Sequence, residues 1–282
     1  MSDYYGQPAL KAPVWTWEVP AYFFVGGAAG AAAVIASAAR LAGGRPDLVR
    51  DARWVAAAGA ALSPPLLIAD LGRPERFLNM LRVFKLQSPM SVGAWTLVAF
   101  STAASAAAAA DLVDRATHGR LPVRLIGNAA ETLAAATGLG LSTYTGVLIG
   151  ATAIPVWADN VRLLPVHFGI SGLGAAASML ELLGHDDPAL NLLAAGAAAI
   201  ETLVGASIEL RSGEGLVPLK QTRSGALTRA GGVLSGPLPL VLRTLAHRSK
   251  AARRAAAIST IAGSLLTRIA WLAAGRESAK RS

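Results

Sequence analysis

Apolar residues along the chain cluster in runs of about 20, the length a helix needs to cross roughly 30 Å of hydrocarbon, and do not alternate with polar ones. Eight runs stand out: 19–41, 52–69, 91–112, 129–151, 163–183, 188–210, 225–246 and 255–275. They predict an all-α, polytopic integral membrane protein of about eight transmembrane helices arranged as two four-helix bundles, 19–151 and 163–275. An interfacial segment, 1–18, precedes them and a tail, 276–282, follows. An even number of spans puts both termini on one side. The second run is short, and Gly231, Gly232, Gly236, Pro237 and Pro239 interrupt the seventh; a bundle tolerates such breaks where neighbours satisfy the freed backbone groups. The pairs Gly26-x-x-x-Gly30 and Gly146-x-x-x-Gly150 read as ordinary close packing of helices. The first run exceeds the 7–15 residues of a signal-peptide core, so it reads as a retained span. The longest polar connections, near 70–90, 211–224 and 247–254, are too short to bury a core of their own.

Composition supports this picture and removes several classes of function. Hydrophobic residues make up 53% of the 282 residues and charged ones 15%, against roughly 45–50% and about 25% in soluble proteins; the mean hydropathy is +0.46. Cysteine is absent, which excludes a cluster, disulfide, c-type haem or thiolate zinc site within this chain. The net charge of +9 lies in short loops between apolar runs, where lipid headgroups and insertion bias place it, so nucleic acid is not the partner. Lys and Arg divide almost evenly, about 13 on the side of the termini and about 12 on the other, with Arg268 inside the last span. If the Arg73/Arg76 loop is held by structure, the remaining count tilts 40–53, 113–124 and 243–254 toward the cytoplasm and leaves the termini outside.

Four segments are rich in polar and aromatic groups: Trp15-Thr-Trp17-Glu18-Val-Pro-Ala-Tyr22-Phe23-Phe24, Asp70-Leu-Gly-Arg73-Pro74-Glu75-Arg76-Phe77, Ser88-Pro89-Met90-Ser91 and Ser142-Thr-Tyr144-Thr-Gly146. Topology brings them to one membrane face, since Tyr22 opens span one, Asp70 closes span two, Ser88 opens span three and Tyr144 lies late in span four. Tyrosine hydroxyls, a carboxylate and an arginine among apolar walls are what a quinone headgroup requires: hydrogen-bond donors for its carbonyls and a group that moves protons. Tyr22 and Tyr144 are the candidate donors; Asp70 and Glu18 are the candidate proton carriers, with Trp17 and Arg73 beside them. Each piece also has a plain structural reading. The tryptophans fit an aromatic belt, Asp70 with Arg73 a helix-terminal ion pair, and Ser88-Pro89 an N-cap with a first-turn proline. His118, His167, His185 and His247 do not offer a haem pair, because His167 and His185 stand 18 residues, or roughly 27 Å of helix, apart. Glu131, Glu181, Glu201, Glu209 and Arg268 fall within or near spans, where ionisable groups are costly; Glu201 and Arg268, each near mid-span, are expected to form a buried pair, structural or part of a proton route, with Glu131 as a further candidate.

At these residues the sequence resembles the membrane-anchor subunit family of polysulfide reductase and the NrfD protein of nitrite reduction. The resemblance rests on Trp15-x-Trp17-x-x-Pro20-x-Tyr22-Phe23, Asp70-Leu-Gly-Arg73-Pro74-x-Arg76-Phe77, Ser88-Pro89-Met90-Ser91-x-Gly93-x-Trp95, Tyr144-Thr-Gly146 through Ile154-Pro155-x-Trp157, and Gly263-x-Leu-Leu-x-Arg268 with Gly275-Arg276. It implies a quinone-reactive subunit of a respiratory oxidoreductase in the bacterial inner membrane, reacting with menaquinone or ubiquinone. It also implies that this subunit docks a four-cluster ferredoxin-like iron–sulfur protein, itself serving a molybdopterin-dependent catalytic subunit. By motif position, Tyr22 and Tyr144 would contact the quinone ring and Asp70 would lie beside it; some family members carry histidine where Tyr22 stands. Loops 71–90 and 157–162 become the expected docking face, with Arg76, Arg82, Lys85 and Arg162 among its charges. Two other classes compete: an ion- or proton-conducting transporter, motivated by the intramembrane carboxylates and the broken seventh span, and a passive anchor for a peripheral enzyme.

Overall fold

The computed structural model describes residues 10–221, 223–245 and 249–281; the start of the expected interfacial segment, His247 and Ser282 lie outside the described residues. The described residues are helical with short connections. In chain order the helices are α1 (Glu18–Leu41), α2 (Pro46–Asp70), α3 (Arg76–Met80), α4 (Pro89–Ala116), α5 (Val123–Gly150), α6 (Pro155–Ala158), α7 (Leu163–Leu182), α8 (Pro188–Leu210), α9 (Val217–Lys220), α10 (Arg223–Ser235), α11 (Pro237–Leu245) and α12 (Lys250–Arg281). Seven of these, α1, α2, α4, α5, α7, α8 and α12, are long and apolar enough to cross a membrane. The seventh expected span, 225–246, is two helices, α10 and α11, meeting at Gly236 where the sequence carries its glycines and prolines. Helix α12 runs on through the expected tail to Arg281.

Local signals explain the helix starts. Ser88 caps α4 with its hydroxyl, which accepts from the Ser91 amide at 3.3 Å, and Pro89 takes the first turn, where its missing N–H costs nothing. Asp187 caps α8 in the same way, accepting from Ala189 N at 2.8 Å and Leu190 N at 3.4 Å, ahead of Pro188. Helix α2 contains Pro64 and Pro65 and still continues to Asp70. Pro64 has no N–H for the Ala60 carbonyl, and the Ser101 hydroxyl of α4 donates to that carbonyl instead, at 3.2 Å.

Helices α1, α2, α4 and α5 pack on one another; α7, α8, α10, α11 and α12 form a second set, with α7 against α1 and α5 and α12 against α1. The α1–α5 crossing is close because Gly30 lies against Gly138: a Cβ on Gly30 would fall 2.3 Å from the Gly138 carbonyl oxygen. One buried ion cluster joins three helices at the membrane face opposite Tyr22. The Glu131 carboxylate is 1% exposed and takes Arg40 Nε at 2.5 Å and also Arg53 Nε. Thr132 and Asn128 accept from the same two guanidiniums at 3.0 and 2.9 Å. Glu131, in the first third of α5, therefore staples the end of α1 to the start of α2.

Candidate quinone site and family

A cavity of 60 Å³ opens at the other face, lined by residues of α1, α2, α4 and α5 and the segments beside them. Its polar groups are Tyr22, Asp70 and Tyr144; Val19, Phe23, Leu67 and Leu148 are among its apolar walls, with Trp15, Met80 and Met90 nearest the connections. Val19, Tyr22 and Phe23 follow the three-to-four spacing of one face of α1, and Trp15 lies in the segment before that helix. Trp15 is also stacked on Trp157 at 5.7 Å between ring centroids, so it is a packed wall and more than a membrane-interface anchor.

The two tyrosines are not equivalent. Tyr144 donates its hydroxyl proton to the Pro89 carbonyl at 2.7 Å, so toward the cavity it offers oxygen lone pairs. Tyr22 is buried, and its hydroxyl has no hydrogen-bond partner among the described residues; it is the free donor. Asp70, at the last residue of α2, accepts from the Thr16 amide at 3.2 Å and the Thr16 hydroxyl at 3.5 Å, which leaves carboxylate lone pairs for a ligand. Glu18 takes a hydrogen bond from the same Thr16 hydroxyl and does not line the cavity.

Trp17 and Arg73, expected beside the ring, stand away from it. Trp17, at the N-cap of α1, is 69% exposed and does not line the cavity. Gly72, at φ +64, turns the chain outward after Asp70, and Arg73 is exposed. The expected docking residues Arg76, Arg82, Lys85 and Arg162 are all exposed on this face. Among them lie exposed apolar side chains that charge counting did not single out: Leu78, Val83, Phe84 and Leu86. Gly93 and Thr16 are likewise structural partners of the site that the sequence named only inside motifs.

In the second set of helices, Glu201 and Arg268 are both buried, and they do not pair directly. The Glu201 carboxylate oxygen Oε2 lies 3.1 Å from His167 Nε2 and accepts from the Ser235 hydroxyl at 2.9 Å. Trp271 donates its indole N–H to His167 Nδ1 at 3.3 Å, so Nε2 carries the ring proton toward Glu201. Arg268 spends its donors on neutral acceptors: the carbonyls of Phe23 (3.2 Å), Ser264 (2.7 Å) and Phe168 (3.0 Å), and the hydroxyls of Ser171 (2.9 Å) and Ser264 (2.8 Å). Its guanidinium also lies 5.2 Å from the Phe168 ring centroid. The residue thus ties α12 to α1 and α7. Among the described residues no group of three or more His, Cys, Asp or Glu side chains is placed to hold a metal ion.

No curated protein matches the chain. The family model described as polysulphide reductase, NrfD, matches residues 7–185, which includes every residue lining the cavity of Tyr22, Asp70 and Tyr144. The chain belongs to the NrfD family, and it is a multi-pass membrane subunit of the polysulfide reductase-like type.

Proposed function

We propose that the chain is the quinone-reactive subunit of an inner-membrane oxidoreductase, exchanging electrons between the quinone pool and an iron–sulfur partner that serves a molybdopterin catalytic subunit. The observation that carries this is the convergence of a free hydroxyl donor, Tyr22, an acceptor hydroxyl oxygen, Tyr144, and the Asp70 carboxylate on one cavity with apolar walls. Those groups fit a quinone headgroup, whose chemistry is the transfer of two electrons with two protons. Tyr22 Oη donates to a carbonyl oxygen, and Tyr144 Oη accepts from a hydroxyl. Asp70 takes or returns the proton, in contact with water at the membrane face. Because the cavity measures 60 Å³, a ring enters as Met80 and Met90, unbranched and adaptable, swing aside.

The exposed basic and apolar residues of 76–86 and Arg162 surround this opening and suit an acidic iron–sulfur protein, which shortens the electron path. This reading places the termini and the docking face outside the cytoplasm. The test is the complex isolated from native membranes, with its subunits identified by mass spectrometry and its quinol turnover measured for wild type, Tyr22→Phe and Asp70→Asn. Co-isolation of an iron–sulfur subunit, with turnover lowered at least tenfold in Asp70→Asn, supports the assignment. Full turnover in both variants would leave a passive anchor, and isolation of the chain alone would favour a transporter.

A further inference from the structure

A second cavity, of 260 Å³, lies between α8 and α10 and is lined by residues of both helices and by Pro237 at the break before α11. Its exposed surface is mostly apolar, with Thr202, Thr228 and the Glu209–Arg229 ion pair also on the lining, and two glycines, Gly205 of α8 and Gly232 of α10, leave open space where side chains would stand: a Cβ on either meets nothing within 4 Å. Glu201 is one of the lining residues. It is 3% exposed, and while both His167 and Ser235 engage Oε2, the other oxygen, Oε1, is buried with no partner in the structure. A carboxylate oxygen left bare in a low-dielectric interior is costly, and a ligand bringing a hydroxyl donor removes that cost. The residues beyond 185, including this cavity, lie outside the family match.

We propose that this cavity is a second headgroup site for the membrane quinol, in which Glu201 Oε1 accepts a ring hydroxyl and the tail leaves toward lipid between α8 and α10. The choice of a quinol rests on the function proposed above together with the chemistry of the site. A single carboxyl accepts from a quinol hydroxyl when ionised and donates to a quinone carbonyl when protonated, so it suits both redox forms; Glu209 and Arg229, the other charges on the lining, are spent on each other, and the mostly apolar surface suits a ring and its tail. The site binds and exchanges; it holds no group that would oxidise its occupant.

The experiment counts decylubiquinol bound per chain by native mass spectrometry of the purified protein in lipid nanodiscs. Wild type is expected to hold two equivalents. Gly205→Leu and Gly232→Leu, which put a side chain into the cavity while replacing a helix-weakening glycine, are each expected to hold one. Glu201→Gln is expected to weaken that equivalent about tenfold, and Tyr22→Phe with Tyr144→Phe is expected to weaken only the other. If the second equivalent survives both leucine variants, or if 1-decanol, which has the hydroxyl and tail without the ring, displaces it at equal concentration, the proposal falls. It falls too if wild type binds one equivalent that only the tyrosine variants weaken. One equivalent, sensitive to the leucines and indifferent to the tyrosines, would sustain this site and refute the first.

Discussion

Gly93→Ala is the smallest change that separates a built site from a fortuitous gap. A Cβ on Gly93 would fall 1.8 Å from Tyr144 Cζ and 2.1 Å from its hydroxyl oxygen, far inside van der Waals contact. The ring cannot simply tip away, because its hydroxyl is bonded to the Pro89 carbonyl at 2.7 Å on the same helix, α4. Replacing glycine by alanine inside a helix ordinarily stabilises by about 0.5–1 kcal/mol. Here overpacking costs about 1–3 kcal/mol and loss of the Tyr144 hydrogen bond about 0.5–1.5 kcal/mol, so the net change is a destabilisation of about 0.5–4 kcal/mol. The same displacement takes the Tyr144 oxygen out of the cavity, and each 1.4 kcal/mol lost from ligand binding raises KM about tenfold. The measurements are the thermal midpoint of the detergent-purified complex and quinol KM and kcat. Tyr144→Phe separates the terms, since it removes the hydroxyl and keeps the ring clash absent. In the double variant Gly93→Ala with Tyr144→Ala the methyl group has nothing to strike, so it should cost little beyond Tyr144→Ala alone. An unchanged midpoint and an unchanged KM in Gly93→Ala would refute the packing of α4 against α5 on which the site depends.

Three further outcomes are expected. Glu131→Gln leaves Arg40 and Arg53 without their buried carboxylate and should lower stability by about 3–5 kcal/mol, seen as a loss of assembled protein in membranes; the protein that does assemble should keep its quinol KM. Arg268→Lys keeps the charge but has three donors where the guanidinium meets acceptors on α1, α7 and α12. Each charged hydrogen bond lost costs about 1.5–3 kcal/mol, so the thermal midpoint should fall, and an unchanged midpoint would show that those contacts do not hold the two helix sets together. Replacing Arg76, Arg82 and Lys85 together by Ser should leave the midpoint of the isolated chain unchanged, because these side chains are exposed. It should weaken retention of the iron–sulfur partner and flatten the salt dependence of that retention; unaltered retention over a salt series would remove them from the docking face.

The helices were readable because membrane thickness imposes a length on them, and even the irregular places announced themselves: the capping Ser88-Pro89 opens α4, and the glycines and prolines near 231–239 fall where α10 gives way to α11. The level of the site was readable for a related reason. Helix direction alternates, so residues at the end of one span and the start of the next share a face. Which way a side chain points was readable only inside regular helix. Tyr22, one turn into α1, lines the cavity, whereas Trp17, in the segment before the helix, does not. Periodicity constrains the first and says nothing of the second.

The mid-membrane charges show a different limit. Two opposite charges near the middle of their spans invite pairing, since an isolated ion in hydrocarbon is so costly. That reasoning counts charges and overlooks donors. A guanidinium carries five N–H groups in a fixed fork, and around Arg268 backbone carbonyls and serine hydroxyls engage all three of its nitrogens without any carboxylate. Glu201 is correspondingly free to take His167, a residue whose sequence position spoke only against haem, and to keep one oxygen unpaired. Arg268 thus serves as a clamp among neutral groups, and in the second helix set Glu201 Oε1, with Arg243 Nε, keeps unspent hydrogen-bonding capacity. The second site proposed above is built on that unpaired carboxylate oxygen.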